Sequence, residues 1–142
     1  MTISPRLAAV VEALPLRPGL RVLEIGCGPG VAARAVAARV GPDGFVLATD
    51  RSARAVEQAR SGSAAEIAAG LMGVRRVAAE EIALEDGEAP YDLAFAVRVG
   101  AFDGRHPAAG EQALARLADV LVPGGLLWVD TGDPLLSIPV HR

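Results

Sequence analysis

Val22-Leu23-Glu24-Ile25-Gly26-Cys27-Gly28-Pro29-Gly30 is the stretch that decides the fold, and a lone acid, Asp50, stands twenty residues beyond its end. An apolar run that ends in glycines and leads into a helical pattern describes a strand, a tight turn and a helix N-terminus, where a ligand can approach bare backbone. A nucleotide-like ligand is expected there. The glycines fall at 26, 28 and 30 and Val31 follows, so the dinucleotide spacing G-x-G-x-x-G is not met. A different cofactor is implied.

On the N-terminal side, Ser4-Pro5 reads as an N-cap with a first-turn proline, and Leu7, Val10, Val11 and Leu14 repeat at helical spacing. Pro15 breaks this helix, and the first strand is expected over 21–25. An Ala-rich helix follows over 31–40, then the turn Gly41-Pro42-Asp43-Gly44. A buried-type strand spans 45–49, with Asp50 at its C-terminal end and Ser52 placed to cap the next helix. That helix is expected to break at Ser61-Gly62-Ser63, and Ser63-Ala64-Ala65-Glu66 has the spacing of a capping box for a fresh turn. Further strands are expected over 74–79, 92–97 and 126–129, with a helix over 108–121. Apolar runs alternating with helices, rather than period-two stripes, describe an α/β fold with a parallel sheet covered on both faces.

The glycine stretch resembles motif I of class I S-adenosylmethionine-dependent methyltransferases, an apolar strand followed by an acid, an apolar residue and G-x-G-x-G; Glu24, Ile25, Gly26, Cys27, Gly28 and Gly30 occupy those places. A second landmark, Leu121-Val122-Pro123-Gly124-Gly125, is similar to the family's L-x-P-G-G turn before strand five. The resemblance runs from about Leu16 to Asp130. It implies a doubly wound, Rossmann-like parallel sheet of about five strands in the order 3-2-1-4-5, within a single domain over 1–142. It also implies that the loops after Ile25, Asp50, Ala79 and Val97 surround one crevice at the strand C-terminal ends.

The cofactor implied is S-adenosylmethionine, with S-adenosylhomocysteine as its product form. By the resemblance, the backbone of Gly26, Cys27, Gly28 and Gly30 lies against its methionine and ribose portion, and Glu24 contacts the amino end, unless that acid only bridges loop amides. Asp50 can accept both ribose hydroxyls as a bidentate carboxylate, or serve as a helix cap. Arg51 is placed beside the adenine edge, with solvated surface as its alternative. Ala78 stands where the family carries an adenine-binding acid. The backbone around Ala79 and Glu80, or the side chains of Glu80 and Glu81, is the remaining candidate for that contact. In the segment after Val97, His106 is a candidate base, Asp103 its orienting partner and Arg98 an anion clamp; surface and ion-pair roles compete for each.

Composition narrows the classes. Hydrophobic residues make up 51% of the 142 and charged ones 22%, which excludes a disordered chain, and no apolar run reaches the length of a membrane span. The N-terminal residues carry no secretory pattern, and cytoplasm is the default compartment. All 14 basic residues are arginines, scattered along a chain of net charge −3, so nucleic acid is not an expected partner. The one cysteine, Cys27, is read as a small turn residue and not as a nucleophile, and no metal site is expected.

The resemblance also exposes gaps. About fifteen residues precede Leu16, in place of the family's lid helices, and the two antiparallel strands that usually follow strand five are expected to be missing. Strand five would then be an exposed apolar edge. The tail, through Leu135, Leu136, Ile138 and Val140, is expected to fold over that edge, or two chains to pair there as a homodimer. Trp128 is read as core or edge packing, with a stacking platform for the acceptor as the alternative. Three functions compete: methyl transfer to an O, N or C nucleophile of an unidentified acceptor, cofactor binding without methyl transfer, and nicotinamide-dependent hydride transfer. The glycine spacing argues against the last.

Overall fold

Strand β1 (Arg21–Ile25) is buried from Val22 onward because it lies at the centre of the sheet. In the computed structural model, which describes residues 2–140, it is flanked by β2 (Phe45–Asp50) and β4 (Leu93–Ala96), both parallel to it. Beyond them lie β3 (Met72–Arg76), β5 (Leu126–Val129) and β6 (Leu136–Pro139), in the order β3-β2-β1-β4-β5-β6. The first five strands are parallel in the order the sequence implies.

Because strand side chains alternate, β1 feeds two cores. Val22 packs with Val11 and Leu14, from α1 (Pro5–Ala13) and its C-cap, and with Ala33, Val36 and Val40 of α2 (Val31–Val40). Leu23 and Ile25 pack on the other face with Leu117 and Val120 of α5 (Pro107–Val120). Each such side chain contributes roughly 1.5–3 kcal/mol when removed from water. The sheet thus has an apolar layer on each face, and its strand ends are left to build a site.

The helix signals act as their chemistry suggests. Ser4 Oγ accepts the Leu7 amide at 3.2 Å, and Ser52 Oγ accepts the Ala55 amide at 3.2 Å at the start of α3 (Ala53–Gly62). The break after Gly62 is present, but the capping box is not. Ser63 is fully buried and accepts a hydrogen bond from Arg34 Nη1 at 2.9 Å, so its hydroxyl does not cap α4 (Ala64–Ala68).

Strand three begins two residues earlier than expected, at Met72, and ends at Arg76; Ala79 falls in a short 3₁₀ turn, Ala79–Glu81. Strand four contracts to Leu93–Ala96; Asp92, just before it, donates its amide to the Arg21 carbonyl at 2.8 Å and accepts the Arg21 amide on its side chain at 2.8 Å. The crossover from β3 to β4 has no α-helix. A polar staple closes it instead: Arg75 pairs with both oxygens of Glu88 at 3.1 Å, and Tyr91 donates its hydroxyl to Glu88 at 2.5 Å. The Arg21 guanidinium lies 4.6 Å from the Tyr91 ring centre and 5.3 Å from that of Phe45.

The main correction concerns the C-terminal region, where an antiparallel strand was expected to be missing. β6 pairs antiparallel with β5, Leu127 opposite Ile138 and Val129 opposite Leu136. The tail therefore covers the strand-five edge, as the apolar spacing of Leu136 and Ile138 suggests. Ile138 and Val140 pack on the α5 side, and Leu135 packs on the α1 side. Trp128 is also partly buried on the α1 side, which makes it packing and not a platform. Removing residues 131–142 is expected to lower the thermal midpoint and to convert a soluble species into self-associating material, read by scanning calorimetry and sedimentation velocity.

Candidate functional site

The C-terminal ends of β1, β2, β3 and β4 surround a cleft of about 480 Å³. Ile25 and Gly26 form its floor, Asp50 and Arg51 one wall, Val77, Ala79 and Glu80 a second, and Arg98, Val99, Gly100, Ala101, Arg105, His106 and Ala109 the third. Four loops meeting at the switch point of an open parallel sheet is the expected place for a ligand.

The glycine turn is tied down by its neighbours. Cys27 donates its amide to the Thr49 carbonyl at 2.8 Å, and Gly30 closes the turn onto the Cys27 carbonyl at 3.0 Å. Gly26, Gly28 and Gly30 all have positive φ, a backbone shape that L side chains rarely adopt. A Cβ on Gly26 would lie 2.6 Å from Val99 Cγ2, whereas one on Gly28 would meet no atom within 4 Å. Gly26 is thus required by packing, and Gly28 faces open space.

Asp50 joins this turn to the next loop. Its Oδ2 accepts the Gly28 amide at 2.9 Å and its Oδ1 accepts the Ser52 amide at 2.9 Å. Each carboxylate oxygen has a second lone pair, so both retain capacity toward the cleft. Ser52, and not Asp50, caps α3.

Glu24 lies beneath the turn, 2% exposed, and its Oε1 has no hydrogen-bond partner. Burial, and next the Asp50 carboxylate, push its pKa up to about 8, against a partial offset from the Ala33 amide near the start of α2. A buried acid with one vacant oxygen is suited to receive a cationic group. Burial, followed by the Glu24 and Asp50 charges, also pushes the Cys27 thiol up to about 12, so Cys27 is not an activated nucleophile.

The remaining candidates divide. Arg51, Ala79 and Glu80 line the cleft, though the Glu80 carbonyl already accepts from Gln112 Nε2 at 3.2 Å. Val97 does not line it; its side chain packs into the core on the α1 and α2 side. His106 lines the cleft rim, but Asp103 is bonded to Arg105 Nε at 2.8 and 2.9 Å and so does not orient His106. Among the described residues, no group of His, Cys, Asp or Glu side chains could hold a metal ion, and no helix is long and apolar enough to cross a membrane.

Three contributors escaped the sequence reading. Val99 covers Gly26, and Arg105 donates from Nη2 to the Arg98 carbonyl at 3.3 Å. Asp130 follows β5 and accepts the Arg98 amide at 3.1 Å. An acid just past a strand end was the usable signal for Asp130, as it was for Asp50. Between these two partners Arg98 has φ of 57°, the positive-φ exception among the non-glycine residues described. Such a conformation costs on the order of 1–3 kcal/mol and persists where its surroundings enforce it.

The parallel sheet, glycine turn and strand-end acid define a Rossmann-like nucleotide-binding class. Within it, residues 22–125 match a family model described as a methyltransferase domain, and the chain belongs to that family. It is 35% identical over 135 residues to a trans-aconitate 2-methyltransferase of Methylobacterium nodulans, an alignment that covers 95% of this chain and 46% of the relative. It is 37% identical over 131 residues to an uncharacterised transposon protein of Streptomyces fradiae, covering 89% and 34% of the two chains. The chain thus spans less than half the length of these two curated relatives.

Solved structures share the fold. A phosphoethanolamine N-methyltransferase from Haemonchus contortus, in complex with phosphoethanolamine and S-adenosylhomocysteine, superposes with TM-score 0.70 at 19% identity, covering 91% of this chain and 26% of that one. The [4+2]-cyclase SpnF superposes with TM-score 0.69 at 24% identity, covering 87% and 42%. The fold alone therefore does not specify the reaction.

Glu24 gives the site a pH signature. Its native pKa lies above the unfolded value of 4.5, so the unfolded chain ionises first as pH rises. Its contribution to stability is fully present below about pH 4.5 and is lost progressively up to about pH 8. Glu24→Gln is expected to flatten that decline, giving a variant more stable than the parent at pH 8 by up to a few kcal/mol, read by urea denaturation across the pH range.

Proposed function

We propose that the cleft binds S-adenosylmethionine and that the chain forms the methyl-donor half of a methyltransferase acting on an O, N or C nucleophile. The observation that carries this reading is the Asp50 carboxylate, fastened to Gly28 and Ser52 with both oxygens still able to accept. In this reading Asp50 takes the ribose diol, the open face of Gly28 admits the ligand, and the vacant Oε1 of Glu24 receives the cationic amino end. When bound, S-adenosylmethionine supplies a sulfonium methyl that an acceptor lone pair displaces in line, with the C–S bonding pair returning to sulfur. The protein's part is alignment and exclusion of water, with His106 at the rim as the group available to take a proton from the acceptor.

A second reading, cofactor binding without methyl transfer, is favoured by one specific arrangement. Asp103 is spent on Arg105, so His106 has no carboxylate to fix its ring, and general-base catalysis has no preset geometry.

Binding separates both readings from a structural shell. S-adenosylhomocysteine at one hundred times its dissociation constant is expected to stabilise the chain by about 2.7 kcal/mol, read as a rise in thermal midpoint. Asp50→Ala is expected to abolish that rise and to destabilise the free chain by about 1–3 kcal/mol through its orphaned amides. Gly28→Ala has room for its methyl group, so it is expected to keep the fold at a cost of about 1–2 kcal/mol for its backbone angle and to lose the ligand response. No shift with either cofactor form would refute the proposal. Turnover measured over a panel of acceptors divides the first reading from the second.

A further inference from the structure

The charges around the cleft are unevenly placed. Its acidic lining residues, Asp50 and Glu80, stand on the β2 and β3 side together with Arg51, whereas the β4 and α5 wall carries Arg98, Arg105 and His106 and no acid among its lining residues. Most charges near that wall are already matched. Arg105 Nη2 pairs with Asp103 at 2.7 Å, and Asp130 pairs with Arg6 at 3.2 Å. Arg98 is different: like that of Arg51 across the cleft, its guanidinium has no partner among the described residues, but its backbone is held at both ends. Asp130 Oδ1 accepts its amide at 3.1 Å, and Arg105 donates to its carbonyl at 3.3 Å. These two bonds hold a side-chain-bearing residue at φ 57° where glycine would be unstrained.

A strained position kept for an arginine, and supported by two charged partners, places a cation at the acceptor end of the cleft. We propose that the methyl acceptor is a small carboxylic acid whose carboxylate is recognised by Arg98, with Asp130 and Arg105 as positioning residues. One unpaired guanidinium balances one negative charge, and its planar fork matches a carboxylate through two parallel hydrogen bonds. A phosphate monoester, with nearly two charges at neutral pH, would need a second free cation on the same wall, and Arg105 is already neutralised by Asp103. The carboxylate would stand on the side away from Asp50, so the acceptor enters opposite the ribose end of the cofactor. The inference rests on the proposed cofactor site for its geometry, but anion recognition by Arg98 is measurable by itself.

The test titrates benzoate, succinate, benzamide, succinamide and phenyl phosphate into the whole chain by calorimetry, both free and saturated with S-adenosylhomocysteine. Benzoate or succinate is expected to bind at least roughly tenfold more tightly than the matching amide, the difference a charge-assisted pair makes. Arg98→Met is expected to remove that preference while leaving the affinity for S-adenosylhomocysteine within about twofold. Asp130→Ala is expected to weaken carboxylate binding and Asp130→Asn, which keeps an acceptor for the Arg98 amide, to retain it; a purely structural role would move cofactor affinity in both. Amides binding as well as acids, phenyl phosphate binding more tightly than benzoate, an unchanged preference in Arg98→Met, or no carboxylate binding at all would overturn the inference. Failure of S-adenosylhomocysteine to bind counts against the cofactor site instead, and the free-chain titration then still decides on Arg98.

Discussion

The two hydrogen bonds accepted by Asp50 hold the architecture of the cleft together. One oxygen fixes the glycine turn after β1 and the other fixes the loop after β2, so two backbone segments with little intrinsic preference for their shapes are set by a single carboxylate. The geometry needs no side chain on Gly28, where a Cβ would meet no atom within 4 Å. An Asn in this place could satisfy one amide through its oxygen, but its NH₂ would face the other N–H as donor against donor. The acid is therefore explained by the fold itself as well as by the proposed ligand contact, and the two are compatible because each oxygen has two lone pairs.

Glu24 shows the opposite balance. Nothing in folding calls for a carboxylate with an empty oxygen between two apolar layers, and burial penalises its charged form. A group held at a disadvantage in the free protein and aimed at a ligand turn is a local inconsistency of the kind that marks function. Asp50 and Glu24 thus stand on the side of the glycine turn, whereas Arg98 stands on the opposite wall of the cleft.

Much of this was legible in the chain. The run from Val22 to Gly30 announced strand, turn and helix because apolar spacing and glycines change within nine residues, and the order of five strands came with the family resemblance that this run carries. Ser4 and Ser52 were readable as caps because capping is local. Ser63 was misread for the complementary reason: Arg34, 29 positions away, takes its hydroxyl, and no local pattern reports that partner. The last strand was missed because Leu136-Ser137-Ile138-Pro139 is four residues long and ends in proline, too short for periodicity to speak. Asp103 was assigned to His106 on proximity in sequence, but the Arg105 fork competes for the same carboxylate and wins with a stronger, charge-assisted pair. The placement of side chains after β4 depends on loop geometry of this sort, which no local pattern reports.

The helix-free crossover between β3 and β4 has a consequence for motion. Its closure combines the polar triad of Arg75, Glu88 and Tyr91 with Ile82, whose side chain is buried in the core on the α5 side. Opening that triad would free the stretch from Glu85 to Pro90 without unwinding an α-helix, while Ile82, buried in the α5-side core, and the Gln112 bond to Glu80 keep the preceding residues in place. The cleft wall formed by Val77, Ala79 and Glu80 belongs to this anchored part. The β3 side of the cleft is thereby held by apolar packing on the α5 side of the sheet, and the ion pair that closes the crossover acts on the loop before β4 instead.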